Sequence, residues 1–270
     1  MRRAGLWIGV VLVAVVILAA LLSLVWTPYN PLQVQPTQVL RPAGWPHLLG
    51  TDGVGIDILS RLLIGARTTV YVGVVAVSLA ALGGVPLGVL AGMRGGWVSE
   101  IVLRVTDILY AFPALLLAIL LAAAVGASTG TAMVAIGVAS IPAFARVARA
   151  ATLIVMTQDY ILAARASGTS RWTTSVRHVL PNIAAVLGVQ ASVSFGIAIL
   201  AEAALSYLGL ATPPPTPTWG RMLHDAQTYI FTSPVQALWP GLAIALSVLG
   251  LNLLGDGLRD HLDPRLREAA

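Results

Sequence analysis

Six long apolar stretches decide what this chain can fold into. A helix needs about 20 mostly apolar residues to cross the hydrocarbon core of a bilayer. Stretches of this kind lie at residues 6–26, 69–92, 101–125, 131–147, 183–205 and 238–254. In lipid, backbone N–H and C=O groups must find partners within the segment, and a helix satisfies that condition. The sequence therefore predicts an all-α membrane protein with six transmembrane helices.

The first stretch is predicted to be a retained helix rather than a signal peptide. It follows Met1, Arg2 and Arg3, as a signal peptide would. Its apolar run, however, exceeds the roughly 7–15 residues of a signal-peptide core. The residues at its end, 26–28, also lack the small side chains of a cleavage site.

The distribution of basic residues predicts the orientation. All sixteen are arginines, and with a cytoplasmic N-terminus only Arg41, Arg61, Arg67 and Arg221 lie outside. The other twelve lie inside: Arg2, Arg3, Arg94, Arg104, Arg146, Arg149, Arg165, Arg171, Arg177, Arg259, Arg265 and Arg267. Because basic residues in short loops favour the cytoplasm, a multi-pass cell-membrane protein with both termini inside is expected. The net charge of +5 then reflects topology, and no nucleic-acid partner is expected.

Several kinds of chemistry are excluded by residues that the chain lacks. Without lysine there is no Walker A loop to hold a nucleotide. Without cysteine there is no thiolate, disulfide or iron–sulfur ligand set. The four histidines are scattered, so no metal site is expected. The chain is therefore expected to be a non-catalytic subunit that binds no cofactor, and any ATP would be bound by a different chain.

One polar segment, residues 148–182, separates the fourth and fifth stretches. Residues 158–167 are compatible with a helix, and Gly168 is expected to break it. Thr169 or Ser170 can cap a second short helix, which Pro181 is expected to end. A structured cytoplasmic segment without reactive groups is best explained as a handle for another protein.

At this segment the chain resembles bacterial ABC importer permeases. Their signature reads Glu-Ala-Ala, three residues, Gly, nine residues, an apolar position, one residue and Leu-Pro. Ala163, Ala164, Gly168, Leu180 and Pro181 stand at that spacing. Leu162 replaces the signature glutamate, and His178 holds the position that is usually apolar.

Further blocks resemble the second permease subunit of dipeptide, oligopeptide and nickel importers. The resemblance extends from about residue 47 to the C-terminus, whereas residues 1–46 match only as a generic first span. The blocks are 49–52 with Asp57, 60–61, 65–67, 95–97, 107–113, 177–182, 200–206, 208–210, 214–220, 252–260 and 263–265.

The resemblance implies a type I permease fold within a larger machine. The implied partners are a second homologous permease, two ATPase subunits that bind ATP and Mg, and an external substrate-binding protein. Residues 1–68 would form a first helix and external segment, 69–256 the permease domain, and 257–270 a cytoplasmic tail. The residues that would couple the permease to an ATPase subunit, by seating in a cleft of that subunit, are Ala163, Ala164, Arg165, Ala166, Ser167, Gly168, Thr169, Ser170, Arg171, Leu180 and Pro181. The implied substrate is a di- or oligopeptide, with nickel, heme or another chelate as alternatives.

Charged residues in or near the apolar stretches give two further candidate sites. Glu100, Arg104 and Asp107 are spaced to pair on one helix face and to anchor the third span, or alternatively to act in transport. Glu202 lies near the outer end of the fifth span. It is expected to line the pore mouth or to bond the partner permease, or else to share a proton and cap nearby backbone.

The external segments give two more expectations. From Gly53 onward an apolar stripe, with Asp57 and Arg61 four residues apart on another face, predicts an interfacial amphipathic helix before the second span. The proline-rich loop that contains Pro214, Pro215, Pro217, Trp219 and Gly220 is stiff. It is either a rigid cap or a docking surface for an external protein.

Two other classes of protein compete with the importer hypothesis. A secondary transporter would need ion-coupling carboxylates and often an internal repeat, and Glu202 gives it little support. An intramembrane enzyme would need paired acids, a metal cluster or a Ser–His arrangement at facing spacings, which the spans do not offer.

Overall fold

The computed structural model describes residues 2–262, and the part it describes is helical throughout apart from turns and loops. The helices are α1 (Arg2–Leu22), α2 (Ile58–Arg94), α3 (Gly96–Ala111), α4 (Ala114–Val125), α5 (Thr129–Met156), α6 (Asp159–Ala166), α7 (Arg171–Thr174), α8 (Leu180–Tyr207), α9 (Trp219–Gln227) and α10 (Val235–Leu262). Most of the C-terminal tail, with Arg265 and Arg267, and the block 263–265 lie outside the described residues.

Close helix contacts define the direction of each pass. Helices α2 and α5 run parallel, from Gly137 against Leu79 at one level to Gly92 against Thr152 at another. Helices α1 and α10 run antiparallel, since Gly5 lies beside Leu253 and Gly250 beside Leu12. We call the end with residues 2, 95, 157–170 and 262 the near end. The far end holds residues 23–57, 126–128 and 208–234.

Glycines make the central α2–α5 contact possible. A Cβ atom on Gly84 would lie 2.6 Å from the Ile141 carbonyl oxygen, and one on Gly88 would lie 2.3 Å from that of Ala145. No real side chain fits at such distances, so these two backbones touch. Small residues are used in this way between membrane helices, where apolar side chains gain little by leaving lipid.

The third predicted span is not a single helix. Helices α3 and α4 meet at an angle of 78°, so the described residues contain five helices able to span a membrane, or six if this bent pair counts as one. Pro113 has no N–H group to continue the helix, and its ring forces Phe112 into an extended conformation at φ −85° and ψ 120°. The expectation of one helix over 101–125 was therefore wrong.

The predicted interfacial helix is not separate from the second span. Helix α2 is continuous over 37 residues from Ile58, a length of about 55 Å. Asp57 caps it by accepting a hydrogen bond from the Ser60 N–H at 2.8 Å. Arg61 pairs with other carboxylates instead of Asp57. The amphipathic stripe therefore belongs to the first turns of the spanning helix.

Pro181 does not end the second short helix. The chain stays helical from Arg171 to Tyr207, and a wider π-helical turn, Ser175–Val179, ends two residues before the proline. In that turn the Leu180 N–H bonds the Ser175 carbonyl, five residues back. The wider turn accommodates the proline ring and its missing N–H without a break. Helices α7 and α8 are thus one continuous helix, which we call the rod.

Candidate coupling surface

The segment between α5 and α8 is fixed to the near end by a few buried side chains. Ile161 of α6 and Val179 of the π turn are fully buried, in a cluster with Val89, Val155 and Ile183. These anchors belong to α2, α5, α6 and the rod that leads into α8. The segment is therefore a packed part of the bundle rather than a loose loop.

Gly168 shapes the turn between α6 and α7. Its φ of +78° lies in the left-handed region, where glycine is favoured. The Gly168 N–H bonds the Arg165 carbonyl, and the Thr169 N–H bonds the Ala164 carbonyl, each at 3.0 Å. Ser170 then caps α7 by accepting a hydrogen bond from the Thr173 N–H at 3.1 Å. The break at Gly168 and the cap at Ser170 agree with the sequence expectation.

The predicted coupling residues lie mainly on the surface. The exposed ones are Ala163, Arg165, Ala166, Ser167, Gly168, Ser170, Arg171 and Pro181, whereas Ala164, Thr169 and Leu180 are half-buried. Two large apolar neighbours that were not predicted as site residues are also exposed, Leu162 at 53% and Trp172 at 78%. A set of exposed apolar and polar groups on buried anchors forms a surface suited to docking.

A cavity of about 390 Å³ opens beside this surface. It is lined by Met93, Met156, Arg165, Thr169, Arg171 and Thr174. Arg165 and Arg171 come from opposite sides of the Gly168 turn, and neither forms a salt bridge within residues 2–262. Two unneutralised guanidinium groups therefore border one cavity at the near end.

Glu202 lies inside the helix bundle, 1% exposed. Its Oε1 accepts a hydrogen bond of 2.7 Å from Ser206 Oγ, one turn further along α8. Its Oε2 has no partner among the described residues. In this conformation the carboxyl group is enclosed by its own chain, so it reaches neither a pore surface nor a second permease.

The three charged residues predicted to pair in the third span take part in two separate ion pairs. Arg104 donates to Glu100 at 2.6 Å on the exposed face of α3, as predicted. Asp107 instead accepts a hydrogen bond of 3.0 Å from Arg146 of α5. The expected three-residue pairing on one helix was wrong, because Arg146, 39 positions away in sequence, is closer to Asp107.

A family model matches most of this architecture. It describes the binding-protein-dependent transport system inner membrane component and matches residues 84–268, which include the whole candidate coupling surface. The chain belongs to this family.

Relatives along the whole length support the placement of this permease. It is 43% identical over 273 residues to the dipeptide transport system permease protein DppC of Escherichia coli, covering 99% of the chain and 91% of that protein. It is 39% identical over 260 residues to DppC of Alkalihalophilus pseudofirmus, covering 96% and 86%. It is 44% identical over 221 residues to the glutathione transport system permease protein GsiD of Pectobacterium atrosepticum, covering 82% and 73%.

A solved structure supports the fold of the permease. A chain of the MetNI methionine ABC transporter, in an inward-facing conformation, superposes with a TM-score of 0.60 at 19% identity. The match covers 77% of this permease and 96% of that chain. The expected ABC importer permease fold is therefore confirmed, and a stand-alone secondary transporter or an intramembrane enzyme is not favoured. Within the described residues no cluster of acidic or histidine side chains could hold a metal ion.

The far end of the permease holds a polar network that the sequence did not reveal. Arg61 donates to Asp52 and, at 2.8 Å, to Asp225 of α9, 164 residues away. His47 Nδ1 lies 2.9 Å from Asp57 Oδ1, and Asp57 also caps α2. These bonds fasten the external segment to α2 and α9. Because Arg61 and Asp225 lie 164 residues apart, no local pattern predicts the bond between them.

Part of the predicted external docking loop is interior. Pro217, Trp219 and Gly220 are buried, and Trp219 Nε1 donates a hydrogen bond of 3.0 Å to the Leu62 carbonyl of α2. These three residues cannot meet an external protein in this conformation, so their burial fits the rigid cap rather than the docking surface. Pro214 and Pro215 remain exposed. The buried part acts as a clamp across α2 and α8.

Proposed function

We propose that this permease, paired with a second homologous permease, forms the path of an ATP-driven importer of di- or oligopeptides. An external binding protein delivers the peptide at the far end, and two ATPase subunits hydrolyse ATP at the near end. The near end and both termini are cytoplasmic, as the arginine distribution predicts. This chain supplies no catalytic group, and ATP and Mg are bound by the ATPase subunits.

One observation carries the proposal: a two-part helical segment, residues 159–174, is exposed on buried anchors at the near end. Such a segment transmits force because its docking face and its core side chains belong to one rigid unit. A partner that pushes on α7 also moves α8, since the chain is helical from Arg171 to Tyr207. Helix α6 is linked to the same unit because Ile161 and Val179 lie in one buried cluster. The nucleotide-driven closing of an ATPase pair would thereby reach the membrane helices.

The peptide substrate is supported by the relatives. Two of the matched relatives are named for transport of dipeptides, and a third is named for transport of glutathione, itself a tripeptide. The exposed prolines Pro214 and Pro215 remain our candidates for contact with the binding protein. Glu202 is proposed to act only in a conformation that uncovers it during transport, because it is enclosed in the present conformation.

Reconstitution of the complete importer in proteoliposomes tests the proposal. Uptake of a labelled dipeptide should require the binding protein and ATP, and an ATPase variant unable to hydrolyse ATP should abolish it. The single chain should give no uptake under a proton gradient. Uptake by this chain alone, without ATPase subunits, would contradict the proposal and favour the secondary transporter. Uptake of nickel but not of peptides would contradict the substrate class alone.

A further inference from the structure

The candidate coupling surface carries cations and apolar groups but almost no anions. Asp159 is the single acidic residue between positions 108 and 201. At the signature position of the family's glutamate, Leu162 presents an exposed apolar side chain instead. Asp159, exposed at the start of α6, is therefore the only carboxylate that residues 159–174 offer to a basic group on a partner.

The cavity beside the surface has the shape and charge to receive an anion. Arg165 and Arg171 approach it from the two sides of the Gly168 turn, and Thr169 and Thr174 add polar groups. The cavity is about 390 Å³ in volume, ample for one carboxylate-bearing side chain. A guanidinium group is planar and matches a carboxylate with two parallel N–H donors. Two guanidinium groups that have no acidic partner among residues 2–262 thus form a site that favours a negative charge.

The location of the cavity points to a protein as the source of that charge. Its walls include Met93 and Met156, which stand at the ends of α2 and α5 rather than along their lengths. The cavity therefore lies past the apolar spans, beside the exposed face of α6 and α7. Leu162 and Trp172 are exposed on the same two helices, so the occupant of this face must also provide apolar contact.

We propose that the ATPase surface that receives residues 159–174 places a carboxylate side chain in this cavity, between Arg165 and Arg171, and contacts Leu162 and Trp172 with apolar groups. In this permease, then, the membrane subunit supplies the cations of the contact and the ATPase supplies the anion. The inference rests on the proposed function, because it assumes that an ATPase occupies the surface.

Charge reversal in the complete importer tests the inference. Arg165→Glu and Arg171→Glu should each weaken the affinity of the detergent-solubilised permease pair for its ATPase subunits by at least about tenfold, because each variant places like charges in contact. Arg177→Glu is the matched control, since Arg177 is exposed but does not line the cavity. The unfolding temperature of each variant should stay at the wild-type value, which separates lost binding from lost folding.

Three further measurements test whether the ATPase supplies the anion. An acidic-to-arginine substitution in the ATPase cleft should restore the affinity of Arg165→Glu or Arg171→Glu. Leu162→Glu should weaken binding more than Leu162→Gln, because both variants lose the apolar contact but only the new carboxylate would face an acidic cleft. Salt should weaken wild-type binding but not the residual binding of a double variant that carries both Arg165→Glu and Arg171→Glu, because screening reduces attraction in the first and repulsion in the second.

The outcomes are separable. If the reversed variants bind the ATPase as the wild type does, the inference is overturned while the proposed function stands. If the wild-type permease pair binds no ATPase at all, the proposed function fails. If the variants instead lose binding only to vesicles of anionic phospholipid and keep full ATPase affinity, the cavity is a lipid-headgroup site and the inference is likewise overturned.

Discussion

Single residues set the conformation of the near end. Gly168 has a left-handed backbone, yet no atom lies within 4 Å of the position where a Cβ would be. The role of Gly168 in the turn therefore depends on its backbone conformation and on the absence of a protruding side chain, not on packing. A substitution there should change the docking face and leave the buried anchors intact.

Gly168→Trp should uncouple transport from ATP hydrolysis. The left-handed backbone costs a non-glycine residue about 1–2 kcal/mol, and the indole would project into the space of the partner. Peptide uptake per ATP hydrolysed, measured in proteoliposomes, should fall strongly. Gly168→Asn is the control, because asparagine tolerates this conformation and is small, and it should retain most of the coupling. Full, binding-protein-stimulated uptake by Gly168→Trp would defeat the assignment.

Glu202 is a second residue whose role a single substitution decides. Gln keeps the shape of the side chain and its acceptor for Ser206 but removes the titratable group. Glu202→Gln should lower the transport rate or the yield of the assembled complex. Ser206→Ala, which removes only the hydrogen-bond donor, is the matched comparison. Wild-type rate and yield for Glu202→Gln would show that the carboxyl group has no functional role.

At the scale of elements, the sequence predicted well what depends on local patterns. The apolar stretches located the spans, and Gly168 and Ser170 located the break and the cap. The bend at Phe112 and the continuity of α2 were not predicted, because apolar composition alone does not show where a helix bends or begins. The Arg61–Asp225 bond could not be predicted either, since only the folded chain brings α2 and α9 together.

The α2–α5 contact should tolerate no added carbon. Gly88→Ala would place Cβ 2.3 Å from the Ala145 carbonyl oxygen, so the helices must move apart at a cost of about 1–3 kcal/mol. Gly188→Ala in α8 meets no atom within 4 Å and should stay within about 1 kcal/mol of the wild type. Thermal unfolding in detergent measures both. Equal stabilities would contradict the described packing of α2 on α5.

The far-end network should hold the external segment in place. Arg61→Ala leaves Asp52 and Asp225 without their shared partner and should destabilise the segment by about 3 kcal/mol. Arg221→Ala removes only a partly exposed pair with Asp225 and should cost about 1 kcal/mol or less. Limited proteolysis within residues 27–57 should therefore accelerate for Arg61→Ala and not for Arg221→Ala. Equal cleavage rates would show that the network does not fasten the segment.

At the scale of the whole molecule, the two ends of the helix bundle are proposed to bind different partners. We propose that the far end, held by its polar network, faces outward. The near end carries the docking segment, of which α7 is continuous with the spanning helix α8. The passes of the helices place these surfaces at opposite ends whatever the direction of insertion. The orientation and the near-end partner are the claims on which the mechanism depends.

Site-specific cross-linking tests that central claim most directly. The chain contains no cysteine, so single cysteines can be introduced without removing others. In the assembled importer, Ser167→Cys at the near end should cross-link to an ATPase subunit, whereas Thr216→Cys at the far end should react only with an external reagent or the binding protein. Cross-linking of position 216, and not of position 167, to the ATPase would contradict the account.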